Sequence, residues 1–191
     1  MRRLLLAALL ILAIFIPLTG HTAVPSVILD SVVRLTVHHP EGDGSCTAFS
    51  VAKYTFITAA HCVYPWWPIT VDHVISHPIK IDYPTDLALL RIEIDKPSLR
   101  VREQPLGLEE EVWAAGFAHG AELMITPNRV LALHTILFFD SYPGTVYRSE
   151  SETAKEGFIV GMSGGPIVDK LGLVVGVVQM GQGIVGYGVD S

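Results

Sequence analysis

The sequence predicts an all-β fold built in two halves. Three observations carry that expectation. Short runs rich in β-branched residues recur along the chain, separated by Gly, Pro, Asp and Asn. Few segments keep a 3.6-residue apolar period, so amphipathic helices are scarce. A polar stretch at 95–111, holding Pro97, Pro105 and Gly107, divides the runs into two sets of similar size. Many short strands with turn residues between them close into a sandwich or a barrel.

The first run, 31–37 (SVVRLTV), ends at His39-Pro40 and a Glu41-Gly42-Asp43-Gly44 turn. Runs at 46–52, 54–59, 71–76 and 87–94 complete the first set. Beyond the linker come 112–117, 121–125, 128–139, 145–148, 165–168, 171–179 and 184–189. No internal repeat and no low-complexity tract interrupts them.

The 191 residues suit one domain plus a short appendage. Half of them are hydrophobic, which excludes an intrinsically disordered chain. The formal charge is −6 with no basic cluster, which argues against nucleic acid as a partner. Part of the apolar content sits at the start. Met1-Arg2-Arg3 precedes 13 apolar residues, 4–16, and Pro17 ends the run. A basic start and a short apolar core form the layout of a secretory signal. The run falls short of the roughly 20 residues that span a bilayer. Gly20 and Ala23 are small enough to precede a cut, though the residues two before each, Leu18 and His21, are indifferent. Residues 1–23 are thus read as a signal peptide or an uncleaved membrane anchor. No cysteine follows Leu18-Thr19-Gly20, which disfavours a lipoprotein. Removing 1–23 takes away Arg2 and Arg3 and moves the charge from −6 to −8.

Cys46 and Cys62 are the chain's two cysteines. In an exported protein they are expected to pair, and their spacing suits two strands of a hairpin. Two unpaired buried thiols are the alternative.

Three segments carry chemistry. Phe56-Ile57-Thr58-Ala59-Ala60-His61-Cys62 puts a histidine at the end of a β-branched strand. A general base needs such rigid placement, although a lone histidine is usually surface or filler. Thr85-Asp86-Leu87-Ala88-Leu89-Leu90 puts an aspartate at the head of an apolar strand, where alone it would be a turn residue. Gly161-Met162-Ser163-Gly164-Gly165-Pro166 surrounds a serine with glycines. Such a backbone can curl until successive N–H groups aim at one point beside a nucleophile. A bare glycine turn is the plain alternative. The order His, Asp, Ser is one of the known triad orders.

Those residues resemble the chymotrypsin-like (trypsin-fold) serine peptidases. TAAHC at 58–62, DLALL at 86–90, GMSGGP at 161–166 and GVVQMG at 176–181 carry the resemblance over about 31–189. It implies two antiparallel six-stranded β-barrels packed together, with the active site in the cleft between them. The peptidase domain would be 24–191, with a first barrel at 27–100, a linker at 101–111 and a second barrel at 112–191. Ser163 would be the nucleophile, His61 its general base and Asp86 the residue orienting His61. Asp82 is the rival carboxylate, but no apolar strand follows it directly. The N–H groups of Gly161 and Ser163 would bind the oxyanion. Val178, Gln179, Met180 and Gly181 resemble the strand that pairs with substrate. The spacing of Cys46 and Cys62 matches the family's disulfide beside the histidine.

Departures from the animal digestive enzymes are informative. Met162 stands where those enzymes carry an aspartate that pairs with a newly cut N-terminus. Activation through that ion pair is therefore not expected. The 25 residues from His61 to Asp86 imply trimmed loops, in the style of the compact bacterial HtrA-like and V8-like branch. Only 28 residues follow Ser163, so no PDZ-like domain is expected after it. Gly157 occupies the floor of the specificity pocket and bears no charge. Phe158, Met180 and Tyr187 would line it, favouring an apolar or small side chain before the scissile bond. Lys155 and Glu156 lie close enough in sequence to alter that preference.

No cofactor is implied, and no metal. His73 and His77 have the i, i+4 spacing of a metal pair, but on a strand and loop that spacing gives no shared face. His38-His39 reads as an exposed turn. Trp66-Trp67 reads as packing over the disulfide loop, with a substrate wall as the alternative. The expected partner is a protein or peptide substrate, with a membrane involved only if the N-terminal segment stays attached. An active endopeptidase and a catalytically silent interaction module of the same fold are the two functional classes left. An esterase using the same groups is a third.

Overall fold

A computed structural model describes residues 26–64, 67–136, 145–151, 160–182 and 185–190, with side chains described over 26–64, 67–131 and 160–179. A five-residue helix, α1 (Val27–Ser31), leads into the first barrel. The first barrel holds β1 (Val32–Val37), β2 (Gly44–Ala52), β3 (Thr55–Ala59), β4 (Ile69–Val71), β5 (Val74–Asp82) and β6 (Leu87–Arg91). The second holds β7 (Glu111–Phe117), β8 (Leu123–Ile136), β9 (Thr145–Ser151), β10 (Pro166–Val168), β11 (Val174–Gln182) and β12 (Val185–Asp190). Both sheets close, in the orders β1-β2-β3-β6-β5-β4 and β10-β11-β12-β9-β8-β7. The all-β, two-barrel expectation holds, and closure pairs the end strands of each sheet, β1 with β4 and β10 with β7.

Alternation along the strands builds three apolar centres. Leu35, Phe56 and Leu90 fill the first barrel, and Val112, Val130 and Ile167 the second. Ile28, Phe49, Trp113, Val168 and Val174 lie between the barrels and join them. Burying each such side chain contributes about 1.5–3 kcal/mol, so the apposition of the barrels is an apolar interface.

Three elements depart from the expected pattern. Ser31 closes α1 instead of opening a strand, its Oγ donating to the Val27 carbonyl at 2.8 Å. The run at 71–76 is two strands, because Asp72 and His73 both take left-handed φ, 47° and 69°, and turn the chain back. Val71 then pairs with Val74 across a two-residue hairpin turn. The runs at 121–125 and 128–139 merge into one strand, β8, over Leu123–Ile136, with Pro127 opposite Trp113; 137–139 lie outside the described residues. The described ladder to β9 starts one residue later, at Asn128 opposite Ser151.

The linker is stitched down. The Leu99 N–H donates to Ser50, and Val101 pairs with Val174 in the second barrel. Leu99 and Leu106 are buried. Arg102 forks onto Glu110 and lies 3.5 Å from Asp169, pinning the strap to the β10–β11 turn. No helix among the described residues is long and apolar enough to cross a membrane.

Candidate active site

The turn between β5 and β6 closes through the Asp86 N–H on the Tyr83 carbonyl at 3.1 Å. Asp86 takes a left-handed φ of 51°, which aspartate tolerates better than most residues. Its carbonyl accepts the Ala60 N–H at 2.9 Å, fastening the 3₁₀ turn Ala60–Cys62 to β6. That turn carries His61. Asp86 is only 3% exposed, and both its carboxylate oxygens face His61. Oδ1 accepts the His61 backbone N–H at 2.7 Å and Oδ2 lies 2.7 Å from Nδ1. A buried carboxylate needs such donors. It makes Nδ1 the protonated nitrogen and leaves Nε2 as the basic one. The rival, Asp82, sits at the end of β5 and lines a shallow recess with Ile57 and Lys80.

Ser163 comes from the turn before β10, at the mouth of the second barrel. Its carbonyl lies 3.9 Å from Sγ of Cys62, the residue after His61, so the two candidate segments meet across the junction. Its Oγ donates to the Gln179 carbonyl at 3.3 Å. From Val160 to Ser163 each carbonyl has a donor. His119 N–H holds Val160, Thr47 Oγ1 holds Gly161, Gly165 N–H holds Met162 and Thr47 N–H holds Ser163, at 2.6–2.9 Å. In a trans peptide the N–H points opposite to the C=O. Tying back the carbonyls of Val160 and Met162 therefore turns the N–H groups of Gly161 and Ser163 the other way.

Two glycines permit this approach. Gly161 has φ +99°, and a Cβ there would lie 2.3 Å from the Phe117 carbonyl. Gly164 has φ +84°, and a Cβ there would lie 2.1 Å from Thr58 Oγ1 of the first barrel. Met162 is wholly buried in the second-barrel core, so apolar packing anchors the loop where the digestive enzymes use a charge pair.

Cys46 and Cys62 form a disulfide. Among the described residues, Cys46, His61 and Cys62 group like metal ligands, but both sulfurs are spent in that bond. A recess of about 270 Å³ adjoins His61, bounded by the disulfide, His39, Tyr64 and Trp67. Trp67 meets the His39 ring edge-on at 4.0 Å and packs against the first-barrel core; Trp66 lies outside the described residues. His38 and His39 are half-buried rather than an exposed turn. His38 Nε2 bonds Thr70 Oγ1 at 2.9 Å, tying β1 to β4. His73 occupies the β4–β5 turn and His77 pairs with Arg91.

The expected specificity residues fare unequally. Lys155, Glu156, Gly157 and Phe158 lie outside the described residues, and only the backbone of Met180, Gly181 and Tyr187 is described. Val178 packs into the second-barrel core. Gln179 is buried, and its Nε2 donates to the Thr85 carbonyl at 2.7 Å, just before Asp86. The side chain thus joins the barrels. Sequence reading passed over Thr47, the His119 turn and Arg34, whose Nη1 donates to the Gly120 carbonyl at 2.5 Å. The one available signal was a threonine beside Cys46 in a strand that also carries Ser45 and Ser50.

Two closed six-stranded barrels, with a carboxylate-anchored histidine on one and a glycine-flanked serine on the other, define a trypsin-fold serine-type endopeptidase. Residues 44–177 match the model of the trypsin-like peptidase domain, and the chain belongs to that family. No curated protein matches. Among solved structures, the Rv3671c protease of M. tuberculosis in its active form is 21% identical, with a TM-score of 0.73 over 88% of this chain and 82% of that one. The HtrA-type protease AlgW with a tripeptide is 17% identical, with a TM-score of 0.74 over 87% of this chain and 58% of that one. The serine endoprotease from Yersinia pestis is 16% identical, with a TM-score of 0.69 over 88% of this chain and 64% of that one. At these identities the likeness is one of fold.

Proposed function

We propose that this chain is an exported endopeptidase that cleaves protein substrates through Ser163, His61 and Asp86. The 2.7 Å contact between His61 Nδ1 and buried Asp86 carries the reading, because it reserves Nε2 for the reaction. Ser163 Oγ attacks the scissile carbonyl while His61 Nε2 takes its proton. The carbonyl oxygen becomes an oxyanion held by the N–H groups of Gly161 and Ser163. The C–N bond then breaks, His61 protonates the leaving amine, and an acyl-enzyme remains on Ser163. Water, deprotonated by His61, releases the acid. Substrate adds as a strand along Val178, Gln179, Met180 and Gly181, with an apolar or small residue before the scissile bond. The disulfide and the basic-then-apolar start support export, with residues 1–23 as signal or anchor.

Labelling with a fluorophosphonate tests the reading. Wild type is expected to label and Ser163→Ala not to. A folded wild type that fails to label and cleaves nothing in a peptide library would favour a silent interaction module.

A further inference from the structure

The geometry points to Thr47 as a positioning residue that sets the oxyanion-binding N–H groups from the opposite barrel; this rests on the roles proposed for Gly161 and Ser163. Thr47 belongs to β2 of the first barrel and is completely buried. Its bonds cross to the second barrel. Oγ1 accepts the Phe117 N–H at 2.9 Å and donates to the Gly161 carbonyl at 2.8 Å. Its own N–H donates to the Ser163 carbonyl at 2.8 Å. One residue therefore grips both members of the proposed oxyanion pair, and its hydroxyl is used in both directions.

Gly161 is the residue of this loop that most needs holding. Glycine has the widest choice of φ and ψ, so bonds to its two flanking peptides must set it. The His119 N–H fixes the peptide before Gly161 through the Val160 carbonyl. Thr47 Oγ1 fixes the peptide after it. Removing the hydroxyl frees that second peptide and leaves the Phe117 N–H without its acceptor. The two N–H groups then lose their fixed separation while the His61–Asp86 pair stays untouched. An oxyanion exists only after attack, so the loss belongs to the transition state and not to substrate binding.

Thr47→Val keeps the shape and removes the hydroxyl. Its kcat is expected to fall about 10- to 100-fold with KM within about twofold, since removing an oxyanion donor outright costs about 10²–10³. A peptide boronate, whose adduct with the serine places an oxygen in the hole, should lose affinity by the same factor as kcat/KM. Thr47→Ser, which restores the hydroxyl, should return kcat to within about threefold of wild type. Should Thr47→Val not fold, Thr47→Ala takes its place with the same expected split. A folded hydroxyl-free variant with wild-type kcat, or a Thr47→Ser as impaired as Thr47→Val, overturns the inference while leaving the triad reading intact. An inactive wild type overturns the triad reading and the role of Thr47 with it.

Discussion

Asp86 holds His61 at two points, its Oδ1 on the backbone N–H and its Oδ2 at Nδ1, each 2.7 Å away. The first contact sets where the 3₁₀ turn sits and the second sets which ring nitrogen carries the proton. Asp86→Asn separates the two effects. An amide oxygen can still accept the backbone N–H, but the NH₂ then faces Nδ1 and forces the proton onto Nε2. The variant should fold normally and lose about 10³–10⁴ in kcat. Steady-state kinetics beside a thermal melt would check this, and a variant within tenfold of wild type would remove Asp86 from the mechanism.

The disulfide flanks both halves of the site, since Cys46 precedes Thr47 and Cys62 follows His61. Its 16-residue separation corresponds to about 3 kcal/mol of lost unfolded-state entropy. The paired Cys46→Ser, Cys62→Ser variant should be less stable by about 2–4 kcal/mol in denaturant titrations. Reductant should lower the midpoint of wild type and leave that variant unchanged.

The Gln179 side chain is expected to act through the fold, leaving only the main chain of that residue to substrate. Gln179→Leu leaves the Thr85 carbonyl without its 2.7 Å donor, which should cost about 1–3 kcal/mol of stability. The side-chain preference in a peptide library should not change. A shifted preference with intact stability would return Gln179 to the substrate-contacting role that its sequence position implied.

The strap between the barrels should make stability sensitive to acid. Hydrogen bonding from Arg102 holds the Glu110 carboxyl below its ordinary range, helped by the Gly107 N–H and opposed by burial. The same bond, with Asp169 nearby, raises the Arg102 guanidinium. A carboxyl whose pKa is lowered by folding stabilises the fold above its unfolded value and loses that contribution as pH falls through the folded value. Glu110→Gln should therefore be less stable than wild type at neutral pH and converge with it in acid. Denaturation midpoints measured between pH 7 and pH 3 would show whether the two curves meet; parallel curves would contradict the pairing.

Much of the architecture was legible because closed antiparallel barrels write themselves locally. Period-two burial in β1 and the turn residues after it are readable without any partner strand. The failures occur where a distant neighbour overrules the local signal. Pro127 reads as a break, yet pairing with β7 carries β8 straight through it. Asp72-His73 lacks the glycine that usually marks a two-residue hairpin turn, so β4 and β5 read as one strand. The polar 95–111 segment reads as a loose linker, because the main-chain bonds to Ser50 and Val174 that pin it have no side-chain signature.

The sequence by itself determined the fold class and supplied His61, Asp86 and Ser163 on three recognisable segments. The tertiary structure alone decided that Asp86 grips His61 through both carboxylate oxygens, one on the backbone N–H and one at Nδ1. It also turned Gln179 inward and set Thr47 against Gly161, 114 residues away. The physical reason is the range of the interactions. Burial periodicity and turn chemistry act over a few residues and leave a mark at each position. A hydrogen bond between barrels depends on which side chains meet once both sheets have closed, and a threonine that shares its strand with Ser45 and Ser50 does not announce its partner.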